Sequence, residues 1–158
     1  MPQPSMRKLR IYVAGPYSGK EITNMGQAIR AADQLMNLGF SPYVPHYTGI
    51  HDLVCPRPYE FWLQHDFDWI PLCDALYRMP GKSSGADREV DFCISYCIPI
   101  FYGKTELYIF KEIIHADYLH LITRTSQWPE DQRYMLPVWQ HNECKKITAR
   151  AKLEVRRT

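Results

Sequence analysis

The sequence lacks several features that would identify a class of protein at once. No apolar run in its 158 residues approaches the length of a membrane span, and the N-terminus has no apolar region of the kind found in signal peptides. The formal net charge is only +2, so no strong overall field attracts nucleic acid. We therefore expect a cytoplasmic protein whose partners include neither a membrane nor a nucleic acid.

The sequence also lacks the usual signatures of disulfide-rich, zinc-binding and cofactor-binding proteins. Its five cysteines are odd in number and form no Cys-x-x-Cys pair. The segment Gly15–Gly19 follows an apolar run, but it lacks the full dinucleotide-binding or Walker pattern. We expect no metal site and no cofactor.

Apolar runs and helical patterns alternate along residues 8–125, which we predict to form one α/β domain. The content of 46% hydrophobic and 13% aromatic residues is typical of a globular protein. The predicted fold is a doubly wound, mostly parallel sheet of about five strands, flavodoxin-like or Rossmann-like. The predicted strands are Leu9–Ala14, Ser41–Pro45, Ala75–Met79, Pro99–Tyr102 and His120–Thr123.

Helical patterns separate these strands and follow them. Residues 47–58 read as a loop, and residues 126–158 are predicted to form a helical, basic C-terminal extension. Its commonest role is a solvated helix face, and the alternative is a contact to nucleic acid or to a partner. The predicted helices are 24–38, 59–72, one that begins just before Asp87, and 106–115.

The stretch Cys73–Cys97 contains the most informative pattern. The strand Ala75–Met79 leads through a small polar loop, Lys82–Gly85, into a helix that carries Asp87 and Glu89. A helix N-terminus above a strand binds anions, and its dipole would stabilise Glu89 as a carboxylate suited to act as a nucleophile. The alternative is that Ser83 or Ser84 is an N-cap and that the two acids belong to an ordinary first helical turn.

Other candidate residues follow the neighbouring strands. His46 and Tyr47 come directly after the second strand, and Asp66 lies in an aromatic-rich helix beside Trp62 and Trp69. Because ligands bind at the carboxyl ends of parallel strands, these side chains should converge with the two loops described above. The alternatives are a structural histidine and a solvated acid on an amphipathic helix.

Four segments in order resemble the nucleoside 2-deoxyribosyltransferase superfamily, which includes deoxynucleoside 5′-monophosphate N-glycosidases. They are IYVAGPYSG, the LGF that ends the first helix with the strand and His46 after it, the Asp66 helix before CDALY, and SSGADRE followed by PIF. The resemblance extends from Leu9 to Tyr102 and is greatest to an often phage-associated branch of the superfamily.

The resemblance implies a catalytic role for three residues. Glu89 matches the nucleophile, Asp66 its partner carboxylate, and Tyr12 the tyrosine that orients the nucleophile. An N-glycosidic bond is cleaved through an oxocarbenium-like state, for which one carboxylate attacks the anomeric carbon and another transfers protons at the leaving base. Desolvation beside Trp62 and Trp69 would raise the pKa of Asp66 and suit it to the second task.

The resemblance also implies a nucleoside or nucleotide as the small-molecule partner. The loop of Ser83 and Gly85 would receive a 5′-phosphate, and Lys20 or Lys82 would replace an arginine that monophosphate hydrolases carry where this chain has Ser18. Family members often share their sites between subunits, so a homo-oligomer is expected. The predicted substrate-binding residues are Gly15, Tyr17, Ser18, His46, Trp62, Ser83, Ser84 and Gly85.

Three functions remain open on the sequence. Hydrolysis of the bond is slightly favoured over base exchange, since water is always available as an acceptor. The third is a nucleotide-binding module without catalysis, because a fold does not fix a function.

Overall fold

The computed structural model describes residues 7–124, Arg150 and residues 153–154. Residues Lys8–Lys104 form one compact unit, and the described residues from Thr105 onward belong to a second. The first unit contains the sheet and the candidate site. The main element that the structure describes in the second unit is one helix.

A four-stranded sheet lies at the centre of the first unit, and its strands run in the order β2-β1-β3-β4. Every neighbouring pair is parallel, and Tyr12 on β1 is aligned with Tyr43 on β2 and with Leu76 on β3. The predicted α/β fold with a parallel, Rossmann-like sheet is therefore confirmed. The strands are β1 (Arg10–Ala14), β2 (Ser41–Tyr43), β3 (Ala75–Arg78) and β4 (Ile100–Phe101).

The two central strands are buried on both faces. Residues 11–14 of β1 are inaccessible to solvent, and every residue of β3 is buried. Continuous apolar runs such as IYVA are typical of parallel strands covered by helices on both sides. This burial places Tyr12 inside the unit.

Helices connect the strands and extend beyond them. Helix α1 packs on β1 and β2, whereas α4 packs on β3 and β1 and is contacted by α3. Short 3-10 turns at Pro45–Tyr47 and Ile70–Leu72 precede α2 and follow α3. The helices are α1 (Glu21–Asn37), α2 (Thr48–Val54), α3 (Tyr59–Trp69), α4 (Ser84–Ser95) and α5 (Lys104–Arg124).

Two local predictions were wrong. The segment predicted as a loop after Tyr47 contains helix α2, and the predicted fifth strand, His120–Thr123, lies in the last turns of α5. A short apolar run has no periodicity that separates a strand from a buried helical turn. The predicted extension 126–158 lies outside the described residues except for three, and the domain boundary near residue 125 stays a prediction.

The strand order places a ligand crevice between β1 and β3. The chain leaves β1 towards β2 on one side and returns to form β3 on the other, so the topological switch point lies between these strands. The segments that follow their carboxyl ends begin at Gly15 and Met79. None of the helices in the described part of the chain is long and apolar enough to cross a membrane.

Candidate active site

A cleft of about 540 Å³ opens at the carboxyl ends of β1 and β3. Its walls come from the loop after β1, the turn after β2, helices α2 and α3, and the loop that leads into α4. The structure therefore brings together ten of the eleven predicted site residues as lining, and Tyr12 is the eleventh. The ten are Gly15, Tyr17, Ser18, His46, Trp62, Asp66, Ser83, Ser84, Gly85 and Glu89.

Tyr12 does not line the cleft, but it contacts Glu89, which does. Its hydroxyl donates a hydrogen bond of 2.7 Å to Oε1 of Glu89, and both side chains are buried. Burial, followed by the charge of Glu89, raises the pKa of Tyr12 well above its usual value. Tyr12 therefore keeps its proton and fixes the position of the Glu89 carboxyl.

Burial, more than the helix dipole, governs the charge of Glu89. Desolvation raises its pKa to about 8; the Tyr12 hydrogen bond opposes this, the charge of Asp66 adds to it, and Arg78 lowers it. The expectation that the helix dipole stabilises Glu89 as an anion needs correction, because burial raises its pKa. Helix α4 begins at Ser84, so Glu89 lies in its second turn, where the effect of the dipole has largely decayed.

Asp66 is the second buried carboxyl of the cleft. It follows Trp62 by one turn of α3, and burial raises its pKa to about 7, in the direction that the sequence predicted. Its Oδ1 is buried without a hydrogen-bond partner. Trp62 is its aromatic neighbour in the cleft lining, whereas Trp69 stacks on Tyr43 with ring centroids 4.9 Å apart.

The turn before α4 presents the start of a helix to the cleft. Ser83 is the N-cap, and its Oγ accepts the backbone N–H of Ala86 at 3.2 Å, which confirms the capping alternative for this residue. The first N–H groups of a helix have no partner within it, so those of Ser84 and Gly85 are open to an anion, whereas that of Ala86 is capped by Ser83. A side chain at Gly85 would approach the Tyr59 hydroxyl to 2.7 Å. Gly85 therefore lets Tyr59 close over the turn.

His46 fixes the opening loop from the other side. Its Nε2 lies 2.9 Å from the carbonyl oxygen of Pro16, and because a carbonyl only accepts, Nε2 carries the proton. Burial lowers the pKa of His46. The ring is therefore neutral, and its Nδ1 is a buried acceptor without a partner.

Sequence reasoning missed two charged residues of the cleft lining, Asp52 and Arg57. Oδ1 of Asp52 accepts Nε1–H of Trp62 at 2.6 Å and the backbone N–H of Arg57 at 2.9 Å. These bonds lower the pKa of Asp52 and orient the Trp62 ring. Both residues lie in the segment that was predicted as a loop, and the only signal was its position after the second strand. Lys82 also lines the cleft, whereas Lys20, the other predicted cation, does not.

Most of this unit matches a known protein-family model. Residues 9–102 match a family model described as a domain of unknown function, DUF4406. The chain belongs to the DUF4406 family. The DUF4406 match covers the sheet, the cleft and nearly all of the compact unit Lys8–Lys104.

The description of the DUF4406 family assigns no activity to its members. Searches of curated proteins and of solved structures gave no match. Among the residues that the structure describes, no group of three or more His, Cys, Asp or Glu side chains could hold a metal ion. The chemistry of this DUF4406 member therefore has to be inferred from the cleft itself.

Proposed function

We propose that the protein cleaves the N-glycosidic bond of a nucleoside or nucleoside 5′-monophosphate, with hydrolysis favoured over base exchange. The observation that supports this is the pair of buried carboxyls in one cleft, of which Glu89 is held by the Tyr12 hydroxyl at 2.7 Å. Two carboxyls with different surroundings are what glycosidic cleavage requires.

The surroundings of the two carboxyls favour different protonation states. The charge of Asp66 raises the pKa of Glu89, so a proton on Asp66 removes this repulsion and lets Glu89 ionise. Tyr12 donates to Oε1 of Glu89 at 2.7 Å, and its hydroxyl also lowers the pKa of Asp66, whose Oδ1 has no partner. Burial raises the pKa of Glu89 to about 8 and that of Asp66 to about 7, so the resting pair carries its proton on Glu89. We propose that the reactive state forms when this proton moves to Asp66 and leaves Glu89 as the carboxylate.

In the proposed reaction the Glu89 carboxylate attacks C1′ and forms a glycosyl ester. The C1′–N bond breaks, its electron pair goes to the base nitrogen, and Asp66 donates its proton to the departing base. Water then attacks C1′ while the Asp66 carboxylate takes its proton, and Glu89 leaves as a carboxylate. The second step with a free base in place of water would be base exchange.

The cleft has the size and surfaces that a nucleotide needs. Its volume of about 540 Å³ lies in the range of small-molecule sites. Trp62, oriented by Asp52 at 2.6 Å, offers a ring for base stacking. The start of α4 and Lys82 offer N–H groups and a positive charge to a 5′-phosphate.

Chromatography of reaction mixtures tests the proposal. Each deoxynucleoside and its 5′-monophosphate is incubated with the protein, with and without a second free base. Glu89→Gln should abolish base release, whereas Asp91→Asn, an exposed acid on the same helix, should retain it.

Each outcome has a defined meaning. Free base without an acceptor supports hydrolysis, and a new nucleoside formed only with an acceptor supports exchange. Saturable binding without turnover would replace the proposal by a binding module. The homo-oligomer is also a proposal, and sedimentation at several protein concentrations tests it.

A further inference from the structure

Asp52 is an acidic residue of the cleft lining that the proposed mechanism does not use. It lies near the end of α2, and its Oδ1 accepts Nε1–H of Trp62 at 2.6 Å and the backbone N–H of Arg57 at 2.9 Å. These two bonds hold the Asp52 carboxyl against the edge of the Trp62 indole, the ring that the cleft offers for stacking.

The second oxygen of this carboxyl, Oδ2, is unused. A carboxylate can accept about four hydrogen bonds, yet within the described part of the chain Oδ2 accepts none and Asp52 forms no ion pair. The hydrogen bond from Arg57, followed by that from Trp62, lowers the pKa of Asp52 and keeps it ionised at neutral pH. The cleft therefore contains an oriented anion with an open acceptor.

The charge of Asp52 determines which part of a nucleotide it can face. A carboxylate repels a phosphate, whereas Lys82 and the start of α4, which also line the cleft, attract one. Trp62, hydrogen-bonded to the same carboxylate, presents an aromatic ring to a base. Asp52 therefore belongs to the base end of the cleft.

A base that stacks on Trp62 brings its edge to this carboxylate. An indole N–H points outward in the plane of its ring, so the carboxylate that accepts it lies beside the ring. The stacked base lies about 3.5 Å from the indole plane. An offset stack, which aromatic pairs prefer, can shift the base towards Asp52 and bring its edge within hydrogen-bond distance of Oδ2.

An ionised Oδ2 can only accept, so it selects a base edge that donates. The exocyclic amino group of adenine, cytosine or guanine donates an N–H that points outward from the ring. The N3–H of uracil or thymine lies between two carbonyl oxygens, which a carboxylate repels. The open acceptor therefore favours an amino-substituted base.

We infer that Asp52 is a specificity-determining residue, which accepts a hydrogen bond from the exocyclic amino group of a base stacked on Trp62. The protein then takes amino-substituted bases in preference to uracil and thymine. The inference rests on the proposed function for the class of ligand, but it concerns binding and is measurable without turnover.

Asp52→Asn reverses the polarity of this contact with little change in size. The two N–H donors that meet Oδ1, from Trp62 and Arg57, require the amide oxygen at that position, so the amide N–H₂ replaces Oδ2. The control is Asp91→Asn, which changes an exposed acid outside the cleft lining.

Binding is measured by calorimetry in the Glu89→Gln background, with two pairs of ligands. The first pair is 2′-deoxyadenosine and purine 2′-deoxyriboside, which lacks only the amino group. The second pair is 2′-deoxycytidine and 2′-deoxyuridine. Each ligand is also tested as its 5′-monophosphate.

With Asp52 intact, the amino-substituted member of each pair should bind about tenfold more tightly or better, because a hydrogen bond to a charged acceptor is gained. Asp52→Asn should abolish the preference for adenine over purine and should favour uracil over cytosine. Asp91→Asn should preserve the original ratios.

Equal binding within the pairs when Asp52 is intact, or a preference that survives in Asp52→Asn, would overturn the inference. An equal loss of affinity for all ligands in Asp52→Asn would also overturn it and leave Asp52 only the structural role of holding Trp62. Should Asp52→Asn fail to fold, Asp52→Ala takes its place, and an amino preference that persists there has the same meaning.

The proposed function and the inference fail separately. Discrimination between the paired ligands without base release by the wild-type protein would refute the reaction alone. Base release without discrimination would refute the role of Asp52 alone, and no binding of any ligand would refute both.

Discussion

Replacing Glu89 by glutamine should stabilise the protein, and the gain should grow with pH. Burial raises the pKa of Glu89 from 4.5 to about 8, so the folded state holds a proton that the unfolded state releases. A carboxyl with a raised pKa leaves stability intact below its unfolded pKa. Stability is then lost as the pH rises towards the folded pKa. Glutamine keeps an oxygen for the Tyr12 hydrogen bond and removes the titration.

The size of the effect follows from the pKa shift. Each pH unit between the two pKa values is worth about 1.4 kcal/mol. From pH 5 to pH 8 the wild-type protein should therefore lose about 3 kcal/mol relative to Glu89→Gln. For a chain of this length such a difference corresponds to about 10 °C in Tm.

Urea unfolding and thermal melts at pH 5, 6, 7 and 8 measure this difference. Because Asp66 titrates in both proteins, the quantity of interest is the difference between variant and wild type at each pH. Asp91→Asn, exposed on the same helix, should give a difference that does not grow with pH. A gain for Glu89→Gln that is equal at pH 5 and pH 8 would refute the claim that Glu89 is buried as a neutral acid.

Three further predictions concern turnover under the proposed function. Tyr12→Phe removes the donor to Glu89 and should lower kcat roughly 10- to 100-fold with little change in KM, as measured by steady-state kinetics. Asp66→Asn should lower kcat and abolish the fall of kcat above neutral pH, because the pKa of Asp66 is raised to about 7. Lys82→Ala should raise KM about tenfold for a nucleoside 5′-monophosphate and leave KM for the nucleoside unchanged. Equal effects on both substrates would contradict a phosphate contact at Lys82.

The sequence was most informative where one strand leads directly into a functional loop. The apolar run before Gly15 and the strand before Lys82 were recognisable because Gly, Pro and Ser end them abruptly. The parallel order then required the two loops to meet, since the carboxyl ends of neighbouring strands lie together. This explains why the predicted site residues line one cleft.

The remaining features depend on burial, which a sequence does not display. Helix α2 was predicted as a loop although Ile50, Leu53 and Val54 have helical spacing; the helix has only seven residues, and these three are exposed instead of buried. The role of Asp52 depends on Trp62, a contact set by how α3 packs beside α2. The raised pKa of Glu89 likewise follows from desolvation among three separate elements.

Two unsatisfied atoms connect the fold to ligand binding. Among the described residues, Nδ1 of His46 and Oδ1 of Asp66 are the buried side-chain atoms without a hydrogen-bond partner, and both residues line the cleft. Leaving such an atom unpaired costs about 1–3 kcal/mol, which a fold tolerates mainly where function requires it. His46 can only accept a hydrogen bond at this atom, because its other nitrogen donates to Pro16. Under the proposed function, a hydroxyl or N–H group of the nucleoside would donate to Nδ1 of His46.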